Sequence, residues 1–124
     1  MTDAAQTTTR YWTACDARDW ATFAGLLATD VVYEIPQTRE RIRGRERYVE
    51  FNATFPGQWR IDIVRVIGAD QHAVSWTNFR VDGTEQTGLC FFDLNDHGLI
   101  QHITDFWPVP YDPPAGREHL TERY

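Results

Sequence analysis

The sequence contains little of what marks disulfide-rich, zinc-binding or membrane proteins. Its 124 residues include only two cysteines, Cys15 and Cys90, which lie far apart and outside any CxxC spacing. A disulfide framework or a zinc site is therefore not indicated, and no cluster of His, Asp and Glu has metal-ligand spacing. No run approaches the roughly 20 apolar residues that a membrane span requires, and the N-terminus has no apolar stretch after a charged start. We therefore expect a cytoplasmic protein with no membrane partner and no metal.

Positive charge is scarce and is concentrated in one segment. The formal net charge is −6 at pH 7, and all 12 basic residues are arginines. Five of them lie between Arg39 and Arg47, but Glu40 and Glu46 interrupt this run and it contains no aromatic residue. Nucleic-acid binding requires a basic face with stacking platforms or an element that enters a groove. We interpret the segment as a solvated turn leading into a helix and expect no nucleic-acid partner.

The first half of the chain carries apolar residues at helical spacing. The pattern runs from Tyr11 to Leu27 and is interrupted near residues 17–19, which predicts two consecutive helices. Residues 7–9, all threonines, are the expected N-cap of the first helix, and Asp19 is that of the second. A later segment, residues 45–55, shows the same spacing and predicts a third, short helix.

Patterning with a period of two predicts five strands. A short one at residues 31–35 is followed by an expected loop over residues 37–43. Four longer strands, separated by turns rich in Gly, Asp and Asn, are expected at residues 59–67, 72–81, 85–94 and 99–107. Three tight turns in a row predict an antiparallel meander, and helices on one face of a curved sheet leave a cavity at its open end. We therefore expect a single α+β domain over residues 1–124, with a proline-rich C-terminal arm from about residue 108 to residue 124.

Alternation along a strand selects the residues that share a face. In the last strand Asp105 shares a face with Ile103 and Trp107, and in the strand before it the more apolar face includes Cys90. The strand at residues 72–81 is ambiguous, because both of its faces mix polar and apolar side chains. One face continues into the following turn and holds a possible partner set for Asp105: Trp76, Asn78, Arg80 and Asp82.

An ionised Asp105 between apolar neighbours would be costly to bury without a partner. If Arg80 and Asp82 share its cavity, they supply a cation and a second carboxylate, from which one acid and one base can be made by separating their pKa values. The alternatives are a hairpin turn for Asp82, a rim position for Arg80 and a sheet-end ion pair for Asp105.

Several segments together resemble the NTF2-like superfamily, which includes SnoaL-type polyketide cyclases, ketosteroid isomerase and limonene epoxide hydrolase. They are Tyr11–Asp19, Trp20–Pro36, Gly44–Tyr48 and the stretch NDHGLIQHITDFWP at residues 95–108. The resemblance extends to about Pro110. It implies a cone-shaped fold, in which three N-terminal helices cover the concave face of a strongly curved antiparallel sheet around one apolar pocket for a small organic molecule.

The resemblance to ketosteroid isomerase is partial. Tyr11 matches the tyrosine of the first helix that donates to the developing oxyanion. Ile35 stands where that enzyme has its general base, and Cys90 corresponds to its protonated aspartate. Dienolate isomerisation by that set of groups is therefore not expected.

The resemblance to limonene epoxide hydrolase concerns other positions. Arg80-Val81-Asp82 resembles the Arg-x-Asp element of that family, and Asp105 matches the aspartate of its final strand. In that family two aspartates bridged by the arginine act as acid and base to open an epoxide with water. Glu34 stands where the family has an asparagine that helps to hold the water. In SnoaL-type cyclases the residue corresponding to Asp105 is the catalytic acid/base.

Together these patterns predict a cofactor-independent enzyme that acts on a small apolar substrate as a cyclase, isomerase, dehydratase or epoxide hydrolase. Asp105 is the expected acid/base, Arg80 stabilises an anion, and Asp82 or Glu34 is the complementary carboxylate. Hydrogen bonds and pocket walls are expected from the remaining candidates: Tyr11, Asn78, Trp76, Cys90, Ile103 and Trp107. The alternative is a non-catalytic module that binds a small hydrophobic ligand or mediates dimerisation, since one fold hosts both kinds of function.

A homodimer is expected because helices on one face of a sheet leave the other face free. The expected contact residues are Thr77, Phe79, Phe91 and Phe106. The C-terminal arm is expected either to close the pocket of its own chain or to reach a partner subunit.

Overall fold

The computed structural model describes residues 3–124, and three helices and six strands make up this part of the chain. The helices are α1 (Ala4–Ala17), α2 (Trp20–Gly25) and α3 (Arg45–Ala53). The strands are β1 (Leu27–Ile35), β2 (Glu40–Arg43), β3 (Trp59–Ala69), β4 (His72–Val81), β5 (Thr84–Leu94) and β6 (Ile100–Phe106). No helix in this range is long and apolar enough to cross a membrane.

The two N-terminal helices are capped by aspartates. The Asp3 carboxylate accepts hydrogen bonds from the backbone N–H groups at the start of α1, so the helix begins before the threonines at residues 7–9, and the predicted cap there is wrong. Arg18 ends α1 with a left-handed backbone, φ +59°. Asp19 accepts from the N–H of Thr22 and caps α2 as predicted.

The strands form one sheet in the order β2-β1-β6-β5-β4-β3. The last four strands pair in sequence and antiparallel, which confirms the predicted meander. The sheet also contains one parallel pair, because β1 runs in the same direction as β6 with Tyr33 opposite Ile103. β1 starts four residues earlier than predicted, and β2 lies where a loop was expected. β2 has only four residues and three are charged, so pairing with β1 rather than its own apolar pattern defines it.

The core lies between the helices and the inner face of the sheet. α1 packs against β3 and β4, and α3 packs against β1. The predicted inner face of β5 is confirmed, since Gly88, Cys90, Phe92 and Leu94 are buried. On β4 the buried set is Ala73, Ser75, Thr77 and Phe79. The prediction that Thr77 and Phe79 belong to a free outer face is therefore wrong.

Candidate active site

A cavity of about 420 Å³ lies between the inner face of the sheet and the helices. Half of its wall residues are aromatic, with nine rings contributed by α1, α3 and the segment after it, three strands and the residue that follows β6. These are Tyr11, Trp12, Tyr33, Tyr48, Phe51, Phe55, Trp59, Phe79 and Trp107. The volume is near the lower end of the roughly 300–1,000 Å³ that is usual for small-molecule sites.

Asp105 lies in this wall as a buried carboxyl group, 3% exposed, with three hydrogen-bond donors. Oδ2 accepts from the Tyr33 hydroxyl and, at 2.8 Å, from the Trp107 indole N–H. Oδ1 accepts from the Cys90 thiol at 2.8 Å. The sheet fixes this arrangement, because Cys90 faces Asp105 across β5 and β6, and Ser75 faces Cys90 across β4 and β5. Ser75 in turn accepts from the Trp12 indole at 2.9 Å.

Burial and hydrogen bonding act on the Asp105 carboxyl in opposite directions. Desolvation favours the neutral acid and raises the pKa of Asp105 above its ordinary value. The hydrogen bonds from Cys90, Tyr33 and Trp107 favour the carboxylate and oppose the rise. Desolvation is the larger effect. Asp105 is therefore a carboxyl group with an increased proton affinity, held in one orientation.

Three tyrosines form a second polar feature of the cavity. The hydroxyls of Tyr11 and Tyr48 are hydrogen-bonded to each other, and the ring of Tyr48 stacks on that of Tyr33 with 4.5 Å between centroids. Burial raises the pKa of all three hydroxyls, so they are neutral donors at physiological pH. A hydrogen-bonded pair of hydroxyls uses one of its two protons internally. The Tyr11–Tyr48 pair therefore keeps one proton for a ligand oxygen.

The other polar groups of the wall are neutral. Burial raises the pKa of the Cys15 thiol to about 12, so it is not a thiolate nucleophile at neutral pH. Amide and hydroxyl groups come from Gln37, Thr38, Asn52 and Gln86. Gln37 bonds both the backbone N–H and the carbonyl of Trp107, which holds the indole beside Asp105. Within residues 3–124 no three His, Cys, Asp or Glu side chains are grouped so that they could hold a metal ion.

The predicted partner set on β4 lies outside the cavity. Trp76, Asn78 and Arg80 are on the outer face of the sheet, and Arg80 pairs there with Asp62 at 2.8 Å. Asp82 lies in the β4–β5 turn with φ +48°, and its carboxylate accepts from the N–H of Gln58 at 3.0 Å. The prediction that Arg80 and Asp82 share the cavity of Asp105 is therefore wrong. The reason is the register of β4 with β5, which places Ser75 and Thr77 opposite the buried Cys90 and Gly88. The alternate residues of β4, including Arg80, therefore face outward.

Glu34 also lies on the outer face. Its carboxylate accepts from Arg41 Nε at 2.8 Å and lies 2.5 Å from His102 Nε2. Because alternation places Glu34 and Tyr33 on opposite faces of β1, it is Tyr33 that reaches Asp105. The prediction that Glu34 contributes to the pocket is wrong.

The structure thus brings together Tyr11, Cys90, Asp105 and Trp107 from the predicted set. Cys90 contacts Asp105 but does not line the cavity, and Ile103 is fully buried in the core, so the prediction that these two residues form the pocket wall is wrong. Tyr33 and Tyr48 were missed. Alternation within β1 places Tyr33 on the same face as the apolar Val31 and Ile35, and this pattern could have predicted that Tyr33 points toward the core. For Tyr48 the short helix α3 offers no comparable pattern.

Residues 8–103 match the SnoaL-like domain, so the chain belongs to the SnoaL-like domain family. A crystal structure from Kribbella flavida DSM 17836, provisionally named a ketosteroid isomerase, is 40% identical with a TM-score of 0.95, over 98% of this chain and 89% of that one. No curated protein matches significantly.

More distant structures share the fold. An epoxide hydrolase from M. tuberculosis, described as LEH-like, is 22% identical with a TM-score of 0.71, over 85% of this chain and 82% of that one. A protein with a ketosteroid isomerase-like fold from Catenulispora acidiphila DSM 44928, in complex with trimethylamine, is 15% identical with a TM-score of 0.69, over 85% of each chain. These confirm the NTF2-like fold that the resemblance implied.

Proposed function

We propose that this protein is a cofactor-independent enzyme that moves a proton on a small, mostly apolar substrate, with Asp105 as the acid/base group. The observation that carries this proposal is a buried, hydrogen-bonded carboxyl with raised proton affinity in the wall of an aromatic cavity. Carboxyl groups in clefts whose pKa is shifted by burial are candidates for catalytic acids and bases. General acid–base catalysis by one such group contributes about 10²- to 10⁴-fold to a rate.

The geometry favours an isomerase or cyclase over an epoxide hydrolase. Epoxide opening by a carboxylate pair needs a second acid and a bridging cation, and Asp82 and Arg80 lie outside the cavity. A single carboxyl can remove a proton from carbon and return it elsewhere. The free proton of the Tyr11–Tyr48 pair supports such a step, because it can stabilise a substrate carbonyl oxygen that gains negative charge.

The test uses unsaturated ketones. Cyclohex-3-en-1-one and the larger androst-5-ene-3,17-dione both gain ultraviolet absorbance when the double bond moves into conjugation. We expect the wild-type protein to convert at least one of them, with kcat/KM reduced 100-fold or more in Asp105→Asn. The matched control is Asp62→Asn, since Asp62 is on the outer face and its loss should leave the rate unchanged.

Equal rates for wild type and Asp105→Asn would overturn the acid/base assignment. The second candidate function, non-catalytic binding of a small apolar ligand, is supported by the same aromatic wall. It replaces the enzyme proposal if both ketones bind, as seen by quenching of the cavity tryptophans, and neither is converted. The family and the fold are compatible with either outcome.

We also propose that a second copy of the chain covers the outer face of the sheet. Trp76 and Phe91 are 42% and 48% exposed there, and Phe91 meets Phe106 edge-on at 5.9 Å between centroids. Large apolar side chains grouped on a free sheet face are typical of a protein contact.

We further propose that residues 1–124 form one domain with a C-terminal arm at residues 108–124. We also propose that the protein works in the reducing cytoplasm, where the buried thiols of Cys15 and Cys90 stay reduced.

A further inference from the structure

The charged and aromatic residues of the cavity wall favour a cationic ligand over an anionic one. Among the wall residues that the structure describes, Asp105 alone belongs to a charged residue type, and Arg and His are absent. Nine aromatic rings make up half of the 18 residues of the wall. Ring faces carry partial negative charge and attract cations, particularly when the cation is desolvated. An anionic ligand would be repelled by an ionised Asp105 and would find no positively charged group in the wall.

Asp105 has hydrogen-bond donors but no positively charged partner among residues 3–124. Tyr33, Trp107 and Cys90 donate to it as neutral groups. The seven ion pairs found in residues 3–124 do not include Asp105. A buried carboxylate without a counter-charge keeps the part of its desolvation penalty that its hydrogen bonds do not offset. A ligand cation beside it would offset this penalty, so binding of the cation and ionisation of Asp105 favour each other.

Trp59 and Trp107, two aromatic residues of the wall, differ in whether a cation of the protein lies against the ring. The Arg18 guanidinium lies 3.5 Å from the centroid of the Trp59 ring, so a positive charge already lies against this end of the wall. In the described part of the chain no such cation accompanies Trp107, whose neighbours include Phe79 at 5.5 Å between centroids. A ligand cation is therefore favoured beside Asp105 and Trp107 and disfavoured beside Trp59.

We propose that the ligand of this cavity carries an ammonium group, either a protonated amine or a quaternary ammonium, on a small apolar body. The ammonium group lies beside Asp105, and the apolar body fills the aromatic space toward Phe51 and Phe55. The net charge of −6 adds a long-range attraction for cations. This inference rests on the proposed function for the position of the site and adds the substrate class to it.

The test is a pair of probes of the same shape that differ in charge. One is (4-hydroxymethylbenzyl)trimethylammonium, and the other is 4-neopentylbenzyl alcohol, in which carbon replaces the charged nitrogen. Isothermal titration calorimetry at pH 8 should show at least tenfold tighter binding of the cation to the wild-type protein. In Asp105→Asn this ratio should fall at least fivefold, while the neutral probe binds as before. Equal or tighter binding of the neutral probe to the wild type would overturn the proposal, and so would a ratio that Asp105→Asn leaves unchanged.

A titration of the wild-type protein keeps the proposal testable if Asp105→Asn does not fold. As the pH is lowered from 8 to 4, protonation of Asp105 should weaken binding of the cation and leave the neutral probe unaffected. The tyrosine and cysteine side chains around Asp105 remain neutral throughout, because burial raises their pKa values. Other titratable groups of these strands, Glu34, Asp93, His72 and His102, lie on the opposite side of the sheet. A constant ratio of the two affinities across this range would contradict the proposal.

The binding result and the turnover result are independent. If Asp105→Asn abolishes turnover of the ketones but the two probes bind equally, the substrate class is wrong and the acid/base role stands. If the cation is preferred through Asp105 and turnover does not depend on Asp105, the substrate class stands and the catalytic role fails.

Discussion

The Cys90 thiol donates a hydrogen bond to Oδ1 of Asp105 at 2.8 Å, across paired positions of β5 and β6. Cys90 thereby favours the ionised carboxyl against the desolvation that favours the acid. Cys90 stands where ketosteroid isomerase resemblance places a protonated aspartate. The buried carboxyl of this chain lies instead on the neighbouring strand, β6.

Removing this thiol should increase the proton affinity of Asp105. In Cys90→Ala the carboxyl loses a donor that lowers its pKa, so the pKa of Asp105 should rise above the wild-type value. Carbon-13 NMR titration of the side-chain carboxyl measures the change. Cys90→Ser is the matched control, because its hydroxyl can still donate. An unchanged or lower pKa in Cys90→Ala would show that the contact does not act on the carboxyl.

Tyr33→Phe should destabilise the protein in a pH-dependent way. A hydrogen bond to a charged group contributes about 1.5–3 kcal/mol to stability, and one to a neutral group contributes about 1 kcal/mol. The loss in the free energy of unfolding should therefore be larger at a pH above the raised pKa of Asp105, where the carboxyl is ionised, than at a pH below it. Urea denaturation measures both values. The control is Tyr111→Phe, since Tyr111 is 86% exposed and its hydroxyl should contribute nothing at either pH.

The pH dependence of stability should carry a contribution from Asp105 with a defined sign. Its folded pKa is raised by burial, so between the unfolded and the folded pKa the folded state holds more proton than the unfolded state. Stability from this group therefore falls as pH rises through that window. The pKa of Asp16 is lowered, mainly by the hydrogen bond from Arg60, so the stability that Asp16 contributes is lost as pH falls through its folded pKa. Subtracting the Asp105→Asn curve from the wild-type curve isolates the Asp105 contribution, and a flat difference would be inconsistent with a raised pKa.

Phe91→Glu should disrupt association through the outer face. The side chain is 48% exposed and packs edge-on against Phe106 on the outer face, so a carboxylate there would be desolvated in a dimer. Light scattering after size exclusion should show a dimer for the wild type and a monomer for the variant, with the same circular dichroism. Glu85→Gln is the control, because Glu85 is exposed at the far end of β5. A wild-type monomer would remove the dimer from the proposal.

The sequence predicted the meander, the three helices and the inward position of Asp105 because each depends on local patterns. Turn residues mark the hairpins of β3 to β6, and alternation groups Asp105 with Ile103 and Trp107. The charged β2 strand was missed because it depends on pairing with β1, which no local pattern contains.

The partners of Asp105 were predicted less well, for a physical reason. On β4 both faces mix polar and apolar residues, so only the register with β5 decides that Thr77 is buried and Arg80 is exposed. Glu34 was placed in the pocket by resemblance to another enzyme, whereas alternation along β1 favours Tyr33. Tyr33 and Cys90 meet at one carboxyl because β1 pairs in parallel with β6. These two strands are far apart in the sequence, so no local pattern predicts their pairing.

The carboxyl pKa of Asp105 in the folded wild-type protein distinguishes an acid/base group from a structural carboxylate. Carbon-13 NMR titration, with Asp105→Asn to assign the resonance, measures it without a substrate. A pKa above the ordinary value of 3.8 is the result expected of a desolvated acid/base group in an apolar cavity. A pKa at or below 3.8 would contradict the account, because it would mean that hydrogen bonding outweighs burial and that Asp105 is a structural carboxylate.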